Sequence, residues 1–124
     1  MTLRYGDTDR QGHINNAAYC TLLESGRVDF LFYEDGSHIA GEGKSFVIVK
    51  LTVDYLQEMN FPGTVDVGSR IISIGSSSFT VGQGIFMKDT CYSTAESVIV
   101  LLDEQTRRST PLPQHVIQVL QKIM

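Results

Sequence analysis

The hydrophobic period of this chain changes once, and that change narrows the folds open to it. Between Asn16 and Tyr33 the residues Tyr19, Leu22, Leu23, Gly26, Phe30 and Tyr33 recur at steps of three and four, with Glu24, Ser25 and Asp29 on other faces. That spacing belongs to an amphipathic helix. Asn15-Asn16 supply capping side chains at its start, and Asp35-Gly36 break the chain after it. From Phe46 the period becomes two: Val47, Val49, Leu51, Val53 and Tyr55 alternate with Ile48, Lys50, Thr52 and Asp54, and β-branched residues dominate as they do in strands. Further strand-like runs cover Thr64 to Ile74, Phe79 to Met87 and Tyr92 to Leu102. Gly75-Ser76-Ser77 and Lys88-Asp89-Thr90 between them are hairpin-sized breaks, so the second half reads as an antiparallel meander. Val116, Ile117, Val119, Leu120 and Ile123 predict a short C-terminal helix, and Thr2 to Tyr5 are read as one more short strand.

One long helix followed by long strands makes an α+β domain, in which the sheet has that helix to cover its apolar face and is expected to curl around it. With 124 residues and 42% hydrophobic composition, the chain can bury one core, and residues 1–124 are read as a single domain. Long exposed strand edges are a hazard that pairing of two copies removes, which predicts a homodimer. The formal charge of −4 lacks the broad cationic surface that non-specific nucleic-acid binding needs, so no nucleic-acid partner is expected. The longest purely aliphatic run, Val98 to Leu102, is too short to span a membrane, and the polar, acidic start lacks a secretory apolar stretch. A cytoplasmic protein is expected. Cys20 and Cys91 have no short-spaced partner and read as free thiols.

The densest polar segment runs from Tyr5 to Tyr19, immediately ahead of and into the helix, and holds Asp7, Asp9, His13, Asn15 and Asn16. A helix start presents unsatisfied N–H groups and partial positive charge, which can stabilise a developing oxyanion while a nearby carboxylate or imidazole handles water or a proton. The plainer alternative is that Asp7 and Asp9 shape a turn, an asparagine caps the helix and His13 packs at the hinge. Gly41-Glu42-Gly43-Lys44-Ser45 ends like a phosphate loop but lacks the first glycine and the following helix. His13, His38 and His115 stand far apart without companions at metal-ligand spacing, so neither a metal nor a cofactor is expected.

The order Asp7-Thr8-Asp9, Gly12-His13, Asn15-Asn16, Tyr19, Glu24 and Arg27 resembles the signature of the hotdog-fold thioesterases, in particular the 4-hydroxybenzoyl-CoA thioesterase-like acyl-CoA thioesterases. The likeness continues through Val53-Asp54-Tyr55-Leu56, Gly63, Val65, Ser78-Phe79 and Arg107 to Pro113, nearly the full chain. It implies an antiparallel sheet wrapped around one long central helix, with active sites at the interface of a homodimer that often pairs into a homotetramer. By that resemblance Asp9 is the catalytic carboxylate, nucleophile or general base, and the main-chain N–H of Asn16 is the oxyanion donor. His13 would bind the thioester carbonyl or orient Asp9, and Asn15 would hold water or a substrate oxygen. Tyr19, Tyr55, Ser77 and Ser78 are the expected substrate-binding residues, while Asp7, Glu24 and Arg27 are expected to be structural.

The implied substrate is an acyl-CoA or aroyl-CoA thioester, with an acyl carrier protein thioester as the second donor. Basic residues that some relatives place before the Ser-Phe pair are absent here, where the chain has Ser76-Ser77-Ser78. Two other functions share such a fold: a non-catalytic acyl-thioester sensor, and hydration or dehydration of an acyl thioester.

Overall fold

A computed structural model describes residues 1–9, 12–33 and 35–124. The helix signalled by the sequence forms as α1, Asn16–Leu31, and begins where Asn15 accepts a hydrogen bond on its side-chain oxygen from the Ala17 N–H at 2.9 Å. It stops two residues short of Tyr33, because Phe32 turns extended and bridges to His38 while Asp35 accepts from the Ser37 N–H and hydroxyl. The strands follow as β1 (Lys44–Tyr55), β2 (Asp66–Ile74), β3 (Ser78–Met87) and β4 (Thr90–Asp103), and Gln114–Gln121 closes the chain as α2.

The four strands form one antiparallel sheet in the order β1-β4-β3-β2. The last three make the expected meander. Strand β1 instead lies beyond β4, with Lys44 opposite Asp103 and Tyr55 opposite Ser93. No hairpin leads out of β1; the connection from Leu56 to Val65 carries the chain to the opposite edge of the sheet, so β1 and β2 are its two edges.

The short strand expected over Thr2 to Tyr5 shrinks to a single bridge from Thr2 to Thr64. Residues Tyr5–Asp7 coil into a 3-10 turn, because the Asp7 carboxylate takes the Arg4 N–H at 2.9 Å and pulls the chain round.

Strand β3 shows how the interior is divided. Its inward residues Phe79, Val81, Gln83 and Ile85 are all buried. Phe79 and Val81 belong to one core with Leu31, Ile39, Ile71, Ile99, Leu101, Leu112, Val116 and Leu120. Ile85 belongs to a second, with Leu3, Ile14, Tyr19, Leu22, Leu23, Met59, Val65 and Ala95. Between them Gln83 accepts from Arg27 Nη1 at 3.1 Å and donates to the Leu23 carbonyl at 2.9 Å, so the buried guanidinium and amide satisfy one another. Burial holds the Arg27 guanidinium below its usual value. Arg27 thus pairs with the sheet through Gln83.

Helix α1 packs on β2 and β3. Close approach is possible because residue 26 is glycine: a Cβ there would sit 2.6 Å from Val67 Cγ1. The sequence led to the expectation that this helix alone covers the sheet; instead α2 also buries Val116 and Leu120 over the other end. Edge strand β1 leaves Ile48, Val49 and Leu51 exposed. Among the described residues no helix is long and apolar enough to cross a membrane.

Candidate active site

Asp7 fixes the base of the polar segment. Its carboxylate accepts from Arg4 Nη2 at 2.9 Å, and its carbonyl accepts the Asn15 N–H at 2.6 Å. The carboxyl lies below its ordinary value because Arg4 donates to it from side chain and backbone. It thereby holds the helix start against the 3-10 turn, the structural role expected for it.

Beyond Asp7 the chain doubles back on itself. Thr8 bridges to Ile14, the Asp9 N–H donates to the His13 carbonyl at 2.8 Å, and Asp9 Oδ1 accepts the His13 N–H at 3.1 Å. Gly12 takes a φ of +80° at the return, a conformation side chains resist. The folded-back arm is then tied to the β1–β2 connection: the Ile14 N–H donates to the Met59 carbonyl at 2.6 Å and the Phe61 N–H to the Gly12 carbonyl at 3.3 Å. Ile14 and Met59, buried beneath, give it an apolar floor.

These contacts leave a cavity of about 470 Å³, lined among others by Asp9, His13, Asn16, Tyr19, Tyr55 and Glu58. Asn16 is the first residue of α1, and no hydrogen bond among the described residues takes up its N–H. It is one of the orphan donors at the positive end of the helix. Tyr19 and Tyr55 stack with ring centroids 4.9 Å apart. The Tyr19 hydroxyl donates to the Gln57 carbonyl and that of Tyr55 to the Asn16 carbonyl, each at 3.3 Å. Burial pushes both phenols up, and Tyr55 is raised further by Cys20, so both stay protonated near neutral pH.

Of the residues singled out in the sequence, Asp9, His13, Asn16, Tyr19 and Tyr55 therefore share one wall. Asn15 is not part of that lining: its side-chain oxygen accepts from the Ala17 N–H at the cap, and its amide nitrogen makes no hydrogen bond among the described residues. Ser77 and Ser78 lie elsewhere. Tyr55 faces Ser93, which faces Ile85, whereas Ser78 faces Val100 at the far end of β3. At about 3.3 Å per residue that is roughly 23 Å away. Within one chain the two serines, expected to bind substrate, therefore do not share the cavity of the two tyrosines.

The sequence reading missed Glu58. Its Oε2 stands 3.3 Å from His13 Nε2. Nothing local marks it, since only the backbone bonding of residues 12–14 to 59–61 brings it there. Among the described residues no three His, Cys, Asp or Glu side chains gather as a metal site requires.

A family model described as the thioesterase-like superfamily matches residues 3–120. The chain belongs to that superfamily. It is 27% identical over 116 residues, 91% of this chain and 87% of the relative, to the acyl-CoA thioester hydrolase YbgC of Escherichia coli O6:H1. The structure of a predicted thioesterase from Bacillus stearothermophilus superposes with a TM-score of 0.89 at 29% identity, over 100% of this chain and 92% of that one. A thioesterase from Thermus thermophilus complexed with coenzyme A and Zn gives 0.84 at 26% identity, over 99% and 90%. These neighbours share the α+β hotdog arrangement that the sequence of this thioesterase-like chain pointed to.

Proposed function

We propose that this chain hydrolyses an acyl-CoA or aroyl-CoA thioester to the free acid and CoA, with Asp9 attacking the carbonyl or activating the water that does. The observation that carries the reading is that one cavity is lined by both Asp9 and Asn16, whose N–H no hydrogen bond among the described residues takes up. A carbonyl resting on the helix start would have its developing negative charge met by that N–H and the helix dipole. His13 would donate to the thioester oxygen or hold Asp9, and the Asn15 amide nitrogen would turn to water or substrate. Membership of the superfamily and the likeness to a named acyl-CoA thioester hydrolase support thioester hydrolysis as the reaction class.

The reading includes a homodimer. Ile48, Val49 and Leu51 are exposed along the open edge of β1, and antiparallel pairing of that edge with its copy would reverse the second sheet. The Lys44 end of one sheet would then lie beside the Tyr55 end of the other. This would bring the partner subunit's Ser77 and Ser78 towards the cavity. Pairing of dimers into a tetramer and an acyl carrier protein as donor extend the same reading.

The test is release of free thiol from butyryl-, decanoyl- and benzoyl-CoA by the purified protein and by Asp9→Asn. Turnover that disappears in the variant is the expected result. Saturable binding without thiol release would overturn it in favour of a sensor, and a change in enoyl absorbance with the thioester intact would favour a hydratase.

A further inference from the structure

We propose that Glu58 is a positioning residue that acts through His13, an inference that rests on the thioesterase reading of the same cavity. Its carboxylate lies 3.3 Å from His13 Nε2, and both side chains line the cavity that holds Asp9 and Asn16. The pairing is imposed by the backbone. Hydrogen bonds from Ile14 to Met59 and from Phe61 to Gly12, with the bridge between His13 and Asn60, hold the two loops in register. Buried Ile14 and Met59 anchor that register from below.

A carboxylate facing one ring nitrogen fixes the ring about its bond to Cβ. With Nε2 turned to Glu58, Nδ1 is the ring nitrogen left for the reacting groups. The His13 main chain is already bound to Asp9 through two hydrogen bonds. Glu58 thus meets the His13 ring while Asp9 holds the His13 main chain, and one pair of loops carries all three residues. The Glu58 side chain is largely exposed, so its effect is modest and is expressed as ring orientation rather than as stability.

The experiment is a double-mutant cycle on thiol release with butyryl-, decanoyl- and benzoyl-CoA, using wild type, Glu58→Gln, His13→Ala and the double variant. Glu58→Gln is expected to lower kcat about fivefold while KM stays within about twofold. In the His13→Ala background the same change should have less than about a twofold effect. Equal losses in both backgrounds, or no loss in either, overturn the proposal. Nitrogen-15 NMR of the histidine rings gives a readout independent of turnover. Glu58→Gln should move the His13 ring signals and leave those of His38 and His115 in place; unmoved His13 signals also overturn it. If wild type releases no thiol from any of the three probes, the thioesterase reading falls and the role of Glu58 with it, while the ring signals still decide whether the contact exists.

Discussion

The core beneath α2 and the core beneath the Tyr5–Tyr19 segment stand on the same strands but are assembled from different material. The first is closed mainly by regular elements, with Phe79 and Leu101 from the sheet against Val116 and Leu120 from α2, and its loop residues Ile39, Ala40 and Leu112 do not line the cavity. The second draws Leu3, Ile14, Met59 and Val65 from segments outside the helices and strands, and those same segments carry or support the cavity. Packing and chemistry are separable at one end of the molecule and shared at the other. A change in the first core should alter stability alone, whereas a change in the second should reach the site.

The sharpest break in that contrast is chemical. Asp9→Asn should reduce thioester turnover by about a thousandfold with little loss of stability, read by thiol release and urea unfolding in parallel. Retained turnover would remove Asp9 from its proposed role. Next in size, Phe79→Ala and Met59→Ala, each made in a fully buried side chain, should cost about 2–5 kcal/mol of unfolding free energy. Only Met59→Ala should also lower kcat in the fraction that stays folded. Gln83→Leu, between the two cores, should cost about 2 kcal/mol, because it leaves the buried Arg27 guanidinium without its acceptor.

The smallest effects are acid-linked and differ by region. His38, packed between Phe32 and Phe46 at the edge of the first core, has its pKa lowered from 6.5 by burial. Its neutral form is favoured on folding, so its contribution is full above pH 6.5 and fades as the pH falls through the lower folded value. Asp7, beside the second core, is lowered from 3.8 by its Arg4 hydrogen bonds. Its contribution is full above that pH and disappears only below it. Urea midpoints measured against pH should show an early shallow decline that His38→Phe removes and a later one that Asp7→Asn removes.

Periodicity revealed the helix and all the strands to within a few residues, because each reports its own face locally. The place of β1 was hidden, since Leu56 to Val65 carries no mark of which edge it leads to. The 3-10 turn at Tyr5–Asp7 escaped notice because so short a run fits a strand or a turn, and only the local Arg4–Asp7 bonds decide between them. At the site, Asp9, His13, Asn16 and Tyr19 were legible because they crowd one short segment at a helix start. Glu58 was not, being joined to His13 only across a fold of the backbone. Ser77 and Ser78 were displaced by topology, because β3 begins at the end of the sheet away from Tyr55.

The lashing of residues 12–14 to 59–61 has a practical side. Two stretches far apart in sequence behave as one cassette, so anyone recombining this chain with a relative should exchange both or neither. A chimera that takes the first without the second would inherit an acid and an imidazole with no frame to hold them.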